Sequence, residues 1–295
     1  MSRFQTSWEI AKRSWAVLKS DKTLAWFPVL SALGSLLVVA IIGGLIALAG
    51  IDSTSTGDSL QPIGWVLIVV AYLALAIVQT YFLAALVAGA DQRLRGNDST
   101  VRTALDIANS RLHRLLPWAV VTATVTMVLQ AIEERFGLIG TIVARLVGLA
   151  WNLVTFLVVP ILVLEDLGVG DALKRSKDLF KKTWGENVIG QFGLGAVGFL
   201  LSFPGVLLIV IGAAVGTAGL IVLGAVGVIW LIAAAVVVSA LSGIYRTALY
   251  HYAANGQVPG EFSGIDFDAA FRRRSNRRTD RGNQGGSPFG SPSSN

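Results

Sequence analysis

No cysteine occurs among the 295 residues, which excludes thiolate metal sites, iron–sulfur clusters and a disulfide framework. Charge is scarce as well: Asp, Glu, Lys and Arg make up 14% of the chain, against roughly 25% in an ordinary globular domain. The two histidines, His113 and His251, are too far apart in sequence for zinc-ligand spacing. A phosphate loop ending in Lys-Ser/Thr, an HExxH helix and a G-x-S-x-G elbow are all missing. Glu165 and Asp166 are adjacent, point to different faces of a helix and make a poor acid/base pair. The sequence reads as non-enzymatic, with no cofactor and no metal.

What is abundant is apolar: 54% of the residues are hydrophobic and the mean hydropathy is +0.66. Six runs are long enough to cross a hydrocarbon core of about 30 Å as helix: about 24–49, 63–89, 116–132, 138–164, 188–212 and 216–242. They are expected to be helical, because isolated strands leave their backbone groups unsatisfied in lipid. The first run is too long for a cleavable signal peptide and is expected to be retained.

The links alternate in charge. Link 50–62 holds Asp52 and Asp58 without Lys or Arg, and the third, "EERFG", holds one arginine. Of the 24 Lys and Arg, all but Arg135 and Arg145 fall in the N-terminal segment, 90–115, 165–187 and the tail from 243. The positive-inside rule then places six crossings in the cell membrane with both termini cytoplasmic. Trp26, Trp118 and Trp184 near the inner starts of spans, and Trp65 near an outer one, are expected at the interface. Trp151 and Trp230 are expected between helices.

A repeat underlies this plan. "IAKRSWAVLK" (10–19) and "ALKRSKDLFK" (172–181) share the triplet Lys-Arg-Ser and matching apolar positions. "ALDIANSRLHRLL" (104–116) follows the same apolar template, broken once by Arg111. Each copy precedes an odd-numbered span. The fold expected is all-α: three units of an amphipathic helix (about 5–20, 100–115 and 169–184) plus a transmembrane hairpin, filling 1–271. Residues 272–295, basic and then Gly/Ser/Pro-rich, are expected to be a disordered, solvated tail.

Two groups of candidate functional residues follow. An apolar stripe beneath a basic face suits the membrane interface, with the stripe dipped toward the acyl chains. Each cation beside an anionic leaflet contributes about 1 kcal/mol. Lys12, Arg13, Lys174, Arg175, Lys177, Lys181 and Lys182 are therefore candidate contacts for anionic inner-leaflet lipid, a protein partner or a second copy, and nucleic acid is not expected. The second group is an intramembrane polar seam. Arg145, Asn152 and Thr155 follow helical spacing on span four, and Thr122, Thr126 and Gln130 recur on span three, ending near Glu133 and Glu134. The very short link makes these spans antiparallel neighbours, so Arg145 is expected to pair with Glu133 or Glu134. Gly198, Gly205 and Gly212 repeat at seven residues in span five, and Pro160 and Pro204 are expected to kink their helices.

The segments "SWEIAKRSWAVLKSDKTLAWFPVL" (7–30), "LEDLGVGDALKRSKDLFKKTWGENVIGQ" (164–191) and "YRTALYHYAANGQVPGEF" (245–262) resemble a group of uncharacterised prokaryotic six-span membrane proteins. More distantly, the helix-plus-hairpin plan is similar to the membrane domain of some glycerophosphodiester phosphodiesterases, whose soluble catalytic domain is not expected here. Neither resemblance implies a site residue. The leading expectation is a membrane scaffold or accessory factor engaging lipid or a partner through its basic helices. The alternative is a transporter or channel for a small solute, using the polar seam.

Overall fold

The computed structural model describes residues 3–48, 62–182 and 184–256, with side chains over 12–48, 63–181 and 195–256. The acidic link with Asp52 and Asp58, the tail 272–295 and the side chains of Lys182 and Trp184 lie outside the described residues. The described residues are helical and contain no strand: α1 Arg3–Ser20, α2 Trp26–Leu48, α3 Pro62–Leu94, α4 Val101–Ser110, α5 Leu112–Val154, α6 Val158–Leu164, α7 Val169–Lys182, α8 Trp184–Val215 and α9 Thr217–Asn255. Five segments are long and apolar enough to cross a membrane: Lys22–Leu48, Ile63–Leu94, Leu112–Leu164, Gly195–Val215 and Thr217–Asn255.

The third segment is 53 residues long, more than twice what a crossing needs, and it doubles back. Gly137 leaves helical geometry at φ 55°, ψ −135°, a conformation glycine reaches without a Cβ penalty. Beyond it, a Cβ on Gly140 would strike the Ile132 carbonyl, and one on Gly148 would touch the Leu129 side chain. The rings of Trp118 and Trp151 stack with centroids 6.0 Å apart; in one straight helix they would stand about 50 Å apart. The link "EERFG" is thus a hairpin turn at a single glycine. Trp118 is buried in that stack instead of lying at an interface, whereas Trp26 and Trp65 are each 57% exposed.

The second arm is not one helix to residue 164. It breaks between Val154 and Val158, upstream of Pro160, whose ring lacks an amide donor and clashes with the carbonyl four residues back. Hydroxyls serve the broken turn. Thr155 Oγ1 donates to Trp151 O at 2.7 Å, and Ser176 Oγ from α7 donates to Val154 O at 2.5 Å.

The well-packed core sits at one end. Val17, Leu24, Phe27, Leu86, Leu115, Ile161, Leu162, Leu179, Tyr245 and Leu249 are at most 2% exposed and form one cluster. The basic links surround this end. Toward the other end the helices present Leu36, Leu37, Leu138, Phe199, Ile221 and Ile229 outward, each more than half exposed. In water such a surface would drive aggregation; against lipid tails it carries no such penalty. This distribution marks a membrane protein.

The repeated amphipathic segments do not dip their stripes into lipid. Ala104 and Ala108 of α4, Ala172, Ser176 and Leu179 of α7, and Ser14 and Val17 of α1 are buried within the protein itself. Serine of the Lys-Arg-Ser triplet, Ser14 or Ser176, is fully buried in both copies. The stripe expected over 100–115 is divided, since α4 ends at Ser110 and Leu112, Leu115 and Leu116 already belong to α5. Periodicity identifies an apolar face, and here other helices cover that face.

Helices α8 and α9 pack almost backbone to backbone. A Cβ on Gly227 would lie 2.7 Å from Gly205 O, and one on Gly212 would lie 2.8 Å from Gly219 O. Small residues permit this approach. Trp230 Nε1 donates across the pair to Leu201 O at 2.8 Å, and Gly216, at φ 105°, turns one helix into the next.

Candidate functional site

The hairpin of α5, together with α3 and α9, borders an open cavity of about 830 Å³. From the first arm it takes Thr122, Thr126, Gln130, Glu133 and Glu134, and from the second Asn152 and Thr155. Seven of the eight seam candidates therefore share one space. Antiparallel arms joined at one glycine bring the two polar stripes face to face, and α3 adds Tyr72, Gln79 and Thr80.

Arg145 is the exception. It is exposed, is not part of the cavity wall, and makes no ion pair with Glu133 or Glu134. The cavity-facing row of the second arm runs Ala144, Gly148, Trp151, Asn152, Thr155, and Arg145 sits off its edge, within snorkelling reach of the far end. Glu134 instead accepts from Gln130 Nε2 at 3.1 Å. Gln130 in turn accepts from the Tyr72 hydroxyl, tying the hairpin to α3.

The threonine hydroxyls bond back to their own helices. Thr122 Oγ1 donates to Ala119 O, Thr126 Oγ1 to Thr122 O, each at 2.9 Å, and Thr155 Oγ1 to Trp151 O. Each hydroxyl thus gives its proton to its own helix and retains oxygen lone pairs for the cavity.

The residue that sequence reasoning missed is Arg246. Counted there with the tail charges beyond a span ending at 242, it lies within α9, which continues to Asn255. Its side chain borders the 830 Å³ cavity and also a second, apolar cleft of about 440 Å³ between α2, α3 and α9. The side chain is part-buried. The guanidinium carbon stands 4.4 Å from the Phe156 ring centroid, and Nε has no hydrogen-bond partner. No described carboxylate pairs with it. A signal existed: Ser239, Ser242 and Arg246 follow helical spacing on one face of an apolar stretch that does not stop at 242.

The charged groups at the basic end are mostly committed to one another. Glu165 accepts from Arg175 Nε at 3.2 Å and from the Tyr250 hydroxyl at 3.0 Å. Asp166, at φ 56°, takes Arg111 and also Arg114, whose Nε is 2.9 Å away. His251 Nε2 and Asp91 Oδ1 are 2.6 Å apart in the core, and Arg95 joins the same carboxylate. Arg175 is thus a clamp of α7 onto α6 and α9, not a free cation. Lys174 pairs loosely with Asp171 at 3.4 Å, with its side chain 81% exposed. Lys12, Arg13, Lys177 and Lys181 are exposed. Among the described residues no three His, Asp or Glu side chains gather as metal ligands.

No curated protein and no solved structure matches the chain, and the likeness to phosphodiesterase membrane domains finds no support. A family model matches residues 62–260, which takes in α3 to α9 and with them both arms of the hairpin, the helix break and Arg246. The chain belongs to the family of unknown function DUF6159.

Proposed function

We propose that this protein is a six-crossing integral protein of the cell membrane, with its basic end and both termini cytoplasmic, that binds a small solute in the cavity between α3 and the α5 hairpin and passes it across the membrane. The observation that supports this best is the coincidence of the polar cavity with a broken helix. Non-helical backbone at membrane depth is tolerated where it lines a cavity, and discontinuous helices form the solute sites of many transporters. Here the break between Val154 and Val158 supplies Thr155 to the cavity wall, and Phe156 beneath it holds Arg246.

The test is flux. Purified protein in proteoliposomes is screened with a panel of small ions and metabolites, and Thr126→Leu and Asn152→Leu are compared with wild type. Loss of flux with unchanged melting supports the reading; flux identical in wild type and both variants refutes it, as does a panel of which nothing moves. Orientation is tested by labelling single cysteines with an impermeant maleimide. Lys177→Cys should label from the cytoplasmic side and Phe136→Cys from the outside; both on one side refutes the layout.

A second reading keeps one observation of its own. With the apolar stripe of α7 covered by protein, Lys174, Lys177 and Lys181 still face outward. That face supports contact with an anionic lipid surface. Replacing all three by Gln should then lower vesicle-composition dependence without unfolding the bundle, and an unchanged dependence on anionic lipid refutes it.

A further inference from the structure

We infer that Arg246 is the anion-binding group of a site for a single-chain anionic amphiphile, its carboxylate or phosphate head at the junction of the two cavities and its chain in the cleft between α2, α3 and α9. This rests on the cavities being ligand sites, and it names the ligand class.

Three independent features converge. First, a guanidinium carries five N–H donors and a permanent charge, and enclosing it without a counter-charge is costly. Arg246 stands over the Phe156 ring, and its Nε is unpartnered. An anion entering the cavity supplies both the charge and the acceptors. The acidic pair Glu133 and Glu134 does not fill this role. It belongs to the region of Tyr72, seven residues from Gln79 on α3 and so about 10 Å further along the cavity.

Second, the 440 Å³ cleft has the shape and chemistry of a chain site. It runs along α9 from Arg246 to Ile232, a rise of about 21 Å. Its walls are mostly apolar (Phe82, Leu86 and Val236 among them), with Gln79 and serines such as Ser31 as polar exceptions beside Arg246. A compact polar solute has no use for such a slot. Third, the depth is right. Phe27 and Pro28 form the end of the cleft near Arg246, beside Trp26, which is 57% exposed. Exposed tryptophan marks the headgroup level. An amphiphile lying in its normal orientation in that leaflet would present its head to Arg246 and its chain to the cleft.

The experiment uses the full chain in phosphatidylcholine nanodiscs with four probes: palmitate, lysophosphatidate, acetate and inorganic phosphate. Palmitate or lysophosphatidate should bind at concentrations where acetate and phosphate do not compete. Arg246→Gln should weaken that binding about thirtyfold or more, as expected when one partner of a buried charge pair is removed. Ser35→Phe, two turns along α2 from Phe27, plugs the cleft away from the charge and should weaken it about tenfold, and serves alone if the arginine variant does not fold. The inference is overturned if neither amphiphile binds or if Arg246→Gln binds as wild type does. It is also overturned if inorganic phosphate or acetate binds as tightly as the chain-bearing probes with Ser35→Phe silent, which makes the site a small-anion site. Thr126→Leu separates the two proposals. It should leave palmitate affinity unchanged while abolishing solute flux, so amphiphile binding without flux defeats only the transport reading.

Discussion

Gly227→Ala is expected to push α8 and α9 apart. The added Cβ would lie 2.7 Å from the Gly205 carbonyl oxygen and 2.7 Å from Ile209 Cγ1. The first contact is backbone, so it is relieved only by moving a helix. Overpacking of this kind costs about 1–3 kcal/mol. Alanine also gains up to about 1 kcal/mol over glycine in helix propensity, so a reference is needed in the same helix. Gly224 provides it: a Cβ there meets nothing nearer than Leu220 Cδ1 at 3.5 Å. The difference between the two variants isolates the packing term. Gly205→Ala, whose Cβ would lie 3.0 Å from Gly227 O, should cost a similar amount. The double variant should cost less than the two singles together, because one separation relieves both clashes. The assay is unfolding in mixed micelles followed by circular dichroism. Equal stability of the Gly227→Ala and Gly224→Ala variants would refute the close approach of these helices.

Other outcomes follow from contacts elsewhere. A double-mutant cycle on Trp118 and Trp151 should return a coupling of about 0.5–1.5 kcal/mol, and zero coupling would mean that the hairpin does not close as described. Ser176→Ala strips Val154 O of its donor and should destabilise by about 1–2 kcal/mol, whereas Ser14→Ala removes a buried hydroxyl without a partner and should be neutral or stabilising by thermal melt. Arg145→Gln should leave both melting temperature and solute flux unchanged, since the side chain is exposed and off the cavity wall; lost flux would restore it to the seam.

Much of this architecture was legible in residues 1–256 because spanning a bilayer leaves few options. The apolar runs could be read from hydropathy, and the shared placement of Thr122, Thr126, Gln130, Asn152 and Thr155 from spacing. What could not be read is what each apolar face meets. Lipid and protein interior are equally apolar partners, so the stripe of Ala172, Ser176 and Leu179 looked the same whether it faced acyl chains or helices. Trp118 was misplaced for that reason too. Arg145 and Arg246 were exchanged in importance because charge alone marks a span boundary: α9 continues through its arginine under the cover of Phe156, and the arginine expected inside proved to face out. Pro160 signalled a kink, and the outcome was a full break whose freed carbonyl is satisfied by Ser176 of α7.

The central claim is that a wet, polar cavity lies inside the α3–α5 bundle, and a chain without cysteine is suited to testing it. Single cysteines at Thr126, Asn152 and Leu146 are exposed to a small hydrophilic methanethiosulfonate in sealed vesicles. Cysteine at 126 and 152 should react readily and cysteine at 146, on the lipid side, should stay inert; equal inertness at all three would contradict the account.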